Sequence, residues 1–246
     1  RVGKAAKSQD ELGQLARDFN KMAEQLESMW GAQKRLLADV SHELRSPLAR
    51  LQMALGLAHQ QNVDPATLSR VEREADRMEA LVSQLLTLSR AEAGEANMQK
   101  HALSLVLNDV LTDANFEVAN KNKQLKIDDI PKKTVVIDSM MFCRAVENVL
   151  RNAIRHSKLV THIAFSEDAQ HWCIHITDDG DGLTIEECVR IFSPFYRATL
   201  ARERESGGVG LGLSIAKAAV ELHHGRIIAE PAERGGLRVT MSFPKL

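Results

Sequence analysis

A histidine lies next to a glutamate in the run SHELRSPL, residues 41–48. Near pH 7 a neutral imidazole has a nitrogen lone pair that can attack, and an adjoining carboxylate can take or hold the proton on the other ring nitrogen. Leucines at seven-residue spacing in this stretch would face inward on a helix, which turns His42 outward. His42 and Glu43 are therefore a candidate nucleophile and its proton acceptor; a solvated surface histidine is the alternative.

Two glycine-rich runs have the composition of phosphate-binding loops. The run DDGDG, residues 178–182, closes a strand-like segment, and GGVGLGL, residues 207–213, leads into a helix. Closely spaced glycines let backbone amides approach phosphate oxygens, and a helix N-terminus adds a partial positive charge. The run GGVGLGL is not a Walker loop, because no Lys-Ser or Lys-Thr follows it, and it is not a Rossmann fingerprint, because the first strand and the ribose carboxylate are missing. An ordinary turn or helix start is the alternative for each run.

A third group of polar residues falls on one face of a predicted helix. Asn148, Asn152 and Arg155 follow one another at spacings of four and three residues. Two amide oxygens and a guanidinium in this arrangement could hold Mg²⁺ and a phosphate chain. Buried or capping amides are the alternative.

The first hundred residues must position the histidine, and their pattern predicts long helices. Apolar residues alternate spacings of three and four along residues 12–29, which is typical of a coiled-coil seam. The spacing changes to successive fours over residues 36–48, where Pro47 also removes a backbone donor, so we expect a bend. A second heptad pattern covers residues 68–85 after a polar interval at residues 59–65. Because two helices with one apolar stripe each cannot enclose a core, this hairpin predicts a dimeric four-helix bundle; packing against the C-terminal part of the chain is the alternative.

From Gly94 onward the pattern predicts alternating helices and strands. The helices are predicted over Leu103–Asn120, opened by Ser104, over Ser139–His156 and over Leu211–His223. The strands are predicted over Leu125–Ile130, Thr134–Asp138, Thr161–Ser166, His171–Asp178, Arg226–Glu230 and Leu237–Phe243. Hairpins rather than crossovers are expected between them, so we predict a mixed, largely antiparallel sheet with helices on one face.

Composition excludes several classes of protein. The 246 residues carry a formal charge of −1, with Lys and Arg spread among Asp and Glu, so no nucleic-acid partner is expected. Cys143, Cys173 and Cys188 form no Cys-x-x-Cys pair, which favours small buried residues over a disulfide framework or a zinc site. No apolar run approaches the roughly 18 residues that span a bilayer. The sequence begins at Arg1 rather than Met, so a fragment of a longer protein is expected.

Taken in order, five motifs resemble the boxes of bacterial sensor histidine kinases. They are the phosphoacceptor box SHELRSPL, the asparagine box ENVLRNAIRHS, the DxGxG box DDGDG, the phenylalanine box IFSPFYR and the second glycine box GGVGLGL. Residues 10–13 and 19–22 look like the second helix of a HAMP linker, and residues 202–208 look closest to envelope-stress sensors of the Cpx type. The resemblance covers nearly the whole chain.

This resemblance implies a multi-domain fold. A partial HAMP linker helix is expected at residues 1–31, and an all-α helical hairpin that forms the dimeric bundle at residues 32–95. Residues 100–246 would form an α/β two-layer sandwich of the GHKL (Bergerat) type, the ATP-binding fold shared with gyrase, Hsp90 and MutL. In this family the linker joins a transmembrane helix to the kinase. We therefore expect attachment to the cytoplasmic side of the bacterial inner membrane through an upstream segment.

The resemblance also assigns roles to individual residues. Asp178 would accept a hydrogen bond from the adenine amino group, and Gly180 and Gly182 would let the backbone pass close to the base and ribose. Asn152 and Asn148 match the Mg²⁺ position. The remaining contacts to ATP are expected from Arg155, His156 (where the family often has tyrosine), the lid residue Arg197, and Gly208, Gly210, Leu211 and Gly212.

The implied reaction moves the γ-phosphoryl group of MgATP to His42, assisted by Glu43, and then to an aspartate in the receiver domain of a response regulator. Ser46 occupies the position at which the family commonly uses Thr or Asn to orient water for dephosphorylating the regulator, so phosphatase activity is expected as well. A homodimer would carry out both reactions, with the bend near Pro47 as a hinge. A non-catalytic signalling scaffold and a GHKL ATPase without phosphohistidine are the alternatives.

Overall fold

The computed structural model describes residues 14, 18–22, 49–51, 53, 56, 65–92, 96–197, 210–233 and 235–245. The chain divides into two compact units, Arg1–Met78 and Glu79–Leu246. His42 and its surroundings, the predicted bend at Pro47 and the first three residues of the second glycine box lie outside the described residues.

The helix α1, Pro65–Glu92, contains the second predicted heptad and crosses the boundary between the units. In the first unit, Arg50 Nε forms an ion pair with Glu74 Oε1 at 2.9 Å. Of the residues that the pattern assigns to the apolar seam, Ala75 is exposed, and Val82, in the second unit, is 45% exposed. The described part of a single chain therefore leaves part of this apolar stripe uncovered.

The second unit is a mixed α/β domain. In chain order its elements are β1 (Gln99–Ala102), α2 (Leu103–Asn120), β2 (Gln124–Ile127), β3 (Thr134–Ile137), α3 (Ser139–His156), β4 (Val160–Glu167), β5 (His171–Asp178), α4 (Ile185–Arg190), α5 (Gly212–Leu222), β6 (Arg226–Pro231) and β7 (Leu237–Pro244). Five strands form a sheet in the order β2-β4-β5-β7-β6, in which β2 and β4 are parallel and the other pairs antiparallel.

Alternation along the strands directs one face of this sheet into the core. Along β5 every second residue from Trp172 to Asp178 is buried, and β7 repeats the pattern from Leu237 to Phe243. Buried residues of α2, α3 and α5 complete the same hydrophobic cluster. The predicted two-layer α/β sandwich with helices on one face is confirmed.

Two elements of the second unit were not predicted. The strand β1 is polar and pairs antiparallel with β3 in a separate two-stranded sheet, so its conformation depends on a distant partner and not on its own pattern. The helix α4 begins with a capping box, in which Thr184 accepts from the Glu187 amide and the Glu187 side chain accepts from the Thr184 amide. That signature was present in the sequence and could have identified α4.

Two further predictions were wrong in detail. Helix α2 begins at Leu103 with Ala102 as a cap that makes no side-chain hydrogen bond, so Ser104 lies inside the first turn and does not open the helix. The expectation of hairpins without a crossover also fails at β2, because this strand lies parallel to β4 and the chain between them passes through β3 and α3.

Candidate active site

Asp178 ends strand β5 and is a nearly buried carboxylate, with a relative exposure of 4%. Its Oδ1 accepts hydrogen bonds from the backbone amides of Gly180, at 2.9 Å, and Leu237, at 3.3 Å. Burial raises the pKa of Asp178, and the two amides together with the nearby His156 oppose that rise. The two amides set the orientation of the carboxylate and leave its Oδ2 without a hydrogen-bond partner among the described residues.

Glycines let three backbone segments close around Asp178. A Cβ on Gly180 would collide with the carbonyl oxygen of His156, at the end of α3, and a Cβ on Gly236 would collide with the carbonyl oxygen of Asp178. Gly182 has φ +75°, and a Cβ there would lie 2.9 Å from the Gly236 carbonyl oxygen. The β6–β7 turn and the DxGxG box are therefore packed backbone to backbone, which only glycine permits.

Asp179 has a different task from its neighbour. Its side chain accepts hydrogen bonds at 2.8–3.2 Å from the amides of Lys158, Leu159 and Val160, between α3 and β4. Partial burial would raise the pKa of Asp179, but these amides outweigh burial and lower it. Asp179 thus holds the loop after α3 next to the DxGxG box. Sequence analysis missed this role, because the three donors become neighbours of Asp179 only in the folded sheet.

Helix α3 carries the predicted metal-binding asparagines. Asp138 caps its N-terminus by accepting from the Met141 amide. Asn148 donates from Nδ2 to the carbonyl of Arg144 at 2.8 Å, and its Oδ1 lies 2.9 Å from the position that a Cβ on Gly212 would take. Asn152 is half-buried, and its side chain makes no hydrogen bond with the residues that the structure describes. Both amide oxygens therefore remain available, and neutral oxygens of this kind suit Mg²⁺ when phosphates supply the charge.

The carboxyl end of α3 is held by a lysine that sequence analysis also missed. Lys123 Nζ donates to the carbonyl oxygens of Ile154 at 2.7 Å, Arg155 at 3.3 Å and Ser157 at 2.5 Å. Its positive charge lies where the helix dipole is negative. The side chains of Arg155 and His156 are themselves exposed.

The described end of the second glycine box lies against the phenylalanine box. Gly210 has φ +82°, and a Cβ there would lie 2.9–3.1 Å from backbone atoms of Phe195 and Tyr196. The Phe195 amide donates to the Gly210 carbonyl at 2.9 Å. Leu211 is fully buried and caps α5, which begins at Gly212.

The structure thus brings the predicted site residues together in three places. The end of β5 brings together Asp178, Gly180, Gly182 and His156. Asn148 of α3 lies next to Gly212, and Gly210 packs against the segment that precedes the exposed Arg197. His42, Glu43, Ser46 and Gly208 lie outside the described residues. In the part of the chain that is described, no cluster of His, Cys, Asp and Glu could hold a metal ion, and no helix is long and apolar enough to cross a bilayer.

Comparison with known families accounts for this arrangement. The family described as "HAMP domain" matches residues 4–28, "His Kinase A (phospho-acceptor) domain" matches residues 32–94, and "Histidine kinase-, DNA gyrase B-, and HSP90-like ATPase" matches residues 137–246. The chain belongs to the sensor histidine kinases. The kinase carries the phosphoacceptor region ahead of the ATPase region, and the ATPase match contains every predicted site residue that the structure describes.

Curated sensor histidine kinases are similar to this kinase over most of its length. Sensor histidine kinase CpxA of Escherichia coli strain K12 is 38% identical over 234 residues, which cover 92% of the chain and 50% of CpxA. Sensor histidine kinase MtrB of Mycobacterium tuberculosis strain H37Rv is 34% identical over 254 residues, covering 96% of the chain and 45% of MtrB. The chain therefore spans about half the length of these relatives.

Solved histidine kinases share the fold. The Acinetobacter baumannii histidine kinase AdeS superimposes with a TM-score of 0.66 at 22% identity, covering 82% of this chain and 97% of AdeS. Histidine kinase ThkA, solved in complex with response regulator protein TrrA, gives a TM-score of 0.68 at 21% identity, covering 90% of this chain and 66% of that one.

Proposed function

We propose that this chain is the catalytic part of an ATP-dependent protein-histidine kinase that phosphorylates its own His42. The observation that carries the proposal is the buried carboxylate of Asp178, whose Oδ1 is held by two amides while Oδ2 has no partner among the described residues. A carboxylate fixed in this way is a hydrogen-bond acceptor, and it suits the exocyclic amino group of adenine. A guanine would present a second acceptor at the same position, so the site favours ATP over GTP.

The remaining site residues suit the triphosphate. The available oxygens of Asn148 and Asn152 would hold Mg²⁺, which neutralises phosphate charge when bound. Arg155 and His156 extend from the exposed side of α3 toward solvent, where Arg155 could pair with phosphate oxygens. The amides of Gly208, Gly210 and Gly212, with Leu211 as a buried anchor and Arg197 at the start of the lid, complete the proposed binding site.

The proposed reaction passes the γ-phosphoryl group along two nucleophiles. The outward nitrogen of His42 attacks the γ-phosphorus, a phosphorus–nitrogen bond forms, the bond to the β–γ bridging oxygen breaks, and ADP leaves. Glu43 takes or holds the proton of the other ring nitrogen. A carboxylate oxygen of an aspartate in the receiver domain of a response regulator then attacks the phosphorus. A phosphorus–oxygen bond forms, the phosphorus–nitrogen bond breaks, and His42 leaves as a neutral imidazole that keeps or regains the proton held by Glu43. The complex of ThkA with TrrA supports a partner of this kind, because that kinase is solved with a response regulator.

Three further properties belong to the proposal. The chain acts as a homodimer in which two helical hairpins form a four-helix bundle, and the exposed Ala75 and Val82 belong to the stripe that such a bundle would cover. Ser46 orients a water molecule that hydrolyses the regulator's phosphoaspartate. The HAMP linker connects the kinase to an upstream membrane segment, so the kinase works at the cytoplasmic side of the bacterial inner membrane.

Labelling with γ-³²P-ATP and Mg²⁺ tests the kinase proposal. The protein should acquire a label that is stable in base and lost in acid, as a phosphorus–nitrogen bond requires, whereas His42→Ala and Asp178→Asn should remain unlabelled. His42→Ala should still bind ATP, because its nucleotide site is intact. ATP binding without any label would indicate a non-catalytic scaffold, and ATP hydrolysis that persists in His42→Ala would indicate a GHKL ATPase.

A further inference from the structure

Thr161 carries an unexplained hydroxyl beside the proposed adenine site. This residue has a relative exposure of 0%, and its Oγ1 makes no hydrogen bond with the described residues. Among the described residues, only one other side-chain atom that is itself fully shielded from solvent lacks a hydrogen-bond partner, Glu74 Oε2, whose fellow oxygen is paired with Arg50. A buried hydroxyl without a partner is costly, so it indicates that a group from outside the chain completes the site.

The register of the sheet locates this hydroxyl. Thr161 on β4 and Asp178 on β5 are direct cross-strand partners, and both are buried on the helix-facing side of the sheet. Side chains at such a pair have Cβ atoms about 4.5–5.5 Å apart. Thr161 Oγ1 therefore lies within the reach of one water molecule from the Asp178 carboxylate.

A direct hydrogen bond between the two side chains is disfavoured. Thr161 Oγ1 makes no hydrogen bond with Asp178 in the structure although Asp178 Oδ2 is available, and reorienting the carboxylate would strain the bonds that Oδ1 accepts from the Gly180 and Leu237 amides. A water molecule needs two to four polar partners in a buried site, and Thr161 Oγ1, Asp178 Oδ2 and a bound ligand would supply them.

We infer that Thr161 is a positioning residue for Asp178: its hydroxyl shares one ordered water molecule with Asp178 Oδ2 and so holds the carboxylate in the orientation that accepts from adenine. This inference rests on the proposed function, because it assigns a second residue to the same adenine site. It explains why a polar side chain occupies a fully buried position at which β4 could otherwise carry an apolar one, as Ile163 does two residues later.

The substitution Thr161→Val tests the inference, because valine has the shape of threonine without the hydroxyl. ATP affinity of the full chain should fall about five- to tenfold, the loss of roughly one hydrogen bond in a buried site. The melting temperature without nucleotide should stay the same or rise, since the substitution removes a hydroxyl that the protein itself does not satisfy. Thr161→Ser, which restores the hydroxyl, should bind ATP within twofold of the wild type.

Thr177→Val is the matched control, because it removes a hydroxyl from the residue next to Asp178 on the opposite face of the sheet. Its ATP affinity should equal that of the wild type. Three results would overturn the inference: ATP affinity of Thr161→Val within twofold of the wild type, a melting temperature lowered by several degrees without nucleotide, or a serine variant as weak as the valine variant. Asp178→Asn separates the two proposals, because an ATP affinity equal to that of the wild type in this variant refutes the adenine site itself, whereas a strongly lowered affinity beside an unaffected Thr161→Val refutes only the role of Thr161.

Discussion

Two adjacent aspartates show how position decides what a carboxylate does. Asp178 is nearly buried, and burial raises its pKa. Asp179 accepts hydrogen bonds from three backbone amides, which lower its pKa. The same side chain one residue apart therefore takes either the proposed adenine-binding role or a structural one. The difference arises because successive residues at the end of a strand point to opposite sides of the sheet.

The raised pKa of Asp178 predicts how ATP binding depends on pH. Only the ionised carboxylate is purely an acceptor, so ATP affinity should fall as acidification protonates Asp178. Because burial raises its pKa, the fall should begin at a higher pH than an ordinary aspartate, with a pKa of about 3.9, would give. ATP dissociation constants measured between pH 8 and pH 4.5 check this.

Asp178→Asn is the reference for that measurement. The weaker ATP binding of this variant should not show the fall in affinity that protonation of Asp178 causes. The phosphates of ATP titrate equally with both proteins, so the difference between the two plots of ATP affinity against pH reports the Asp178 carboxylate alone. Identical pH profiles for wild type and variant would contradict the assignment of Asp178 as the titrating group.

At the scale of elements, the end of α3 depends on a residue from the preceding α2–β2 connection. Lys123 donates to three carbonyl oxygens there. Burial and the positive charge of the neighbouring Lys121 lower the pKa of Lys123, and the negative charges of Asp179 and Asp178 oppose that fall. Lys123→Met keeps the length of the side chain and removes the donors. It should destabilise the protein by about 1–3 kcal/mol, since the partly buried carbonyls of Ile154 and Ser157 lose a charged donor, although the Ile154 carbonyl keeps its bond from the Ser157 hydroxyl.

Thermal unfolding checks this prediction, with a loss of roughly 2–4 °C in Tm for each kcal/mol. Lys121→Met is the matched control, because the exposed Lys121 pairs with Glu117 at the surface and such surface pairs contribute little. Equal losses in both variants would mean that Lys123 does not hold α3 in place.

Elements with a strong internal pattern could be predicted from the sequence, and those defined by distant contacts could not. Helix α3 has a pronounced apolar face and its bounds, Ser139–His156, were predicted correctly. The polar strand β1 was missed because only its pairing with β3 makes it a strand. The same holds in the site: Asp178 was identified through its motif, whereas Lys123, Asp179 and Gly236 act on residues that the chain brings near only by folding.

At the scale of the whole molecule, the proposed kinase and phosphatase activities share one helical hairpin, which carries both His42 and Ser46. The apolar spacing and Pro47 predict a bend close to His42, and a bend at that point could act as a hinge. Pro47→Ala should therefore change the ratio of kinase to phosphatase activity several-fold while ATP affinity stays close to that of the wild type.

Two rates and one affinity measure this effect: labelling of His42, decay of regulator phosphate with and without the protein, and the dissociation constant for ATP. Equal losses of both activities in Pro47→Ala would contradict the hinge. Regulator phosphate that decays no faster in the presence of the wild-type protein would refute the phosphatase role of Ser46.

Strand β7 lies between β5 and β6 although it follows both in the chain, and its first residue, Leu237, donates an amide to Asp178. A ribosome delivers residues in sequence order, so a growing polypeptide that ends ahead of β7 has an open sheet and a carboxylate held by one amide alone. A chain truncated before this strand would thus lack the second amide that orients the carboxylate and should not form the proposed ATP site. Nearly the entire domain must therefore be synthesised before ATP can bind as proposed.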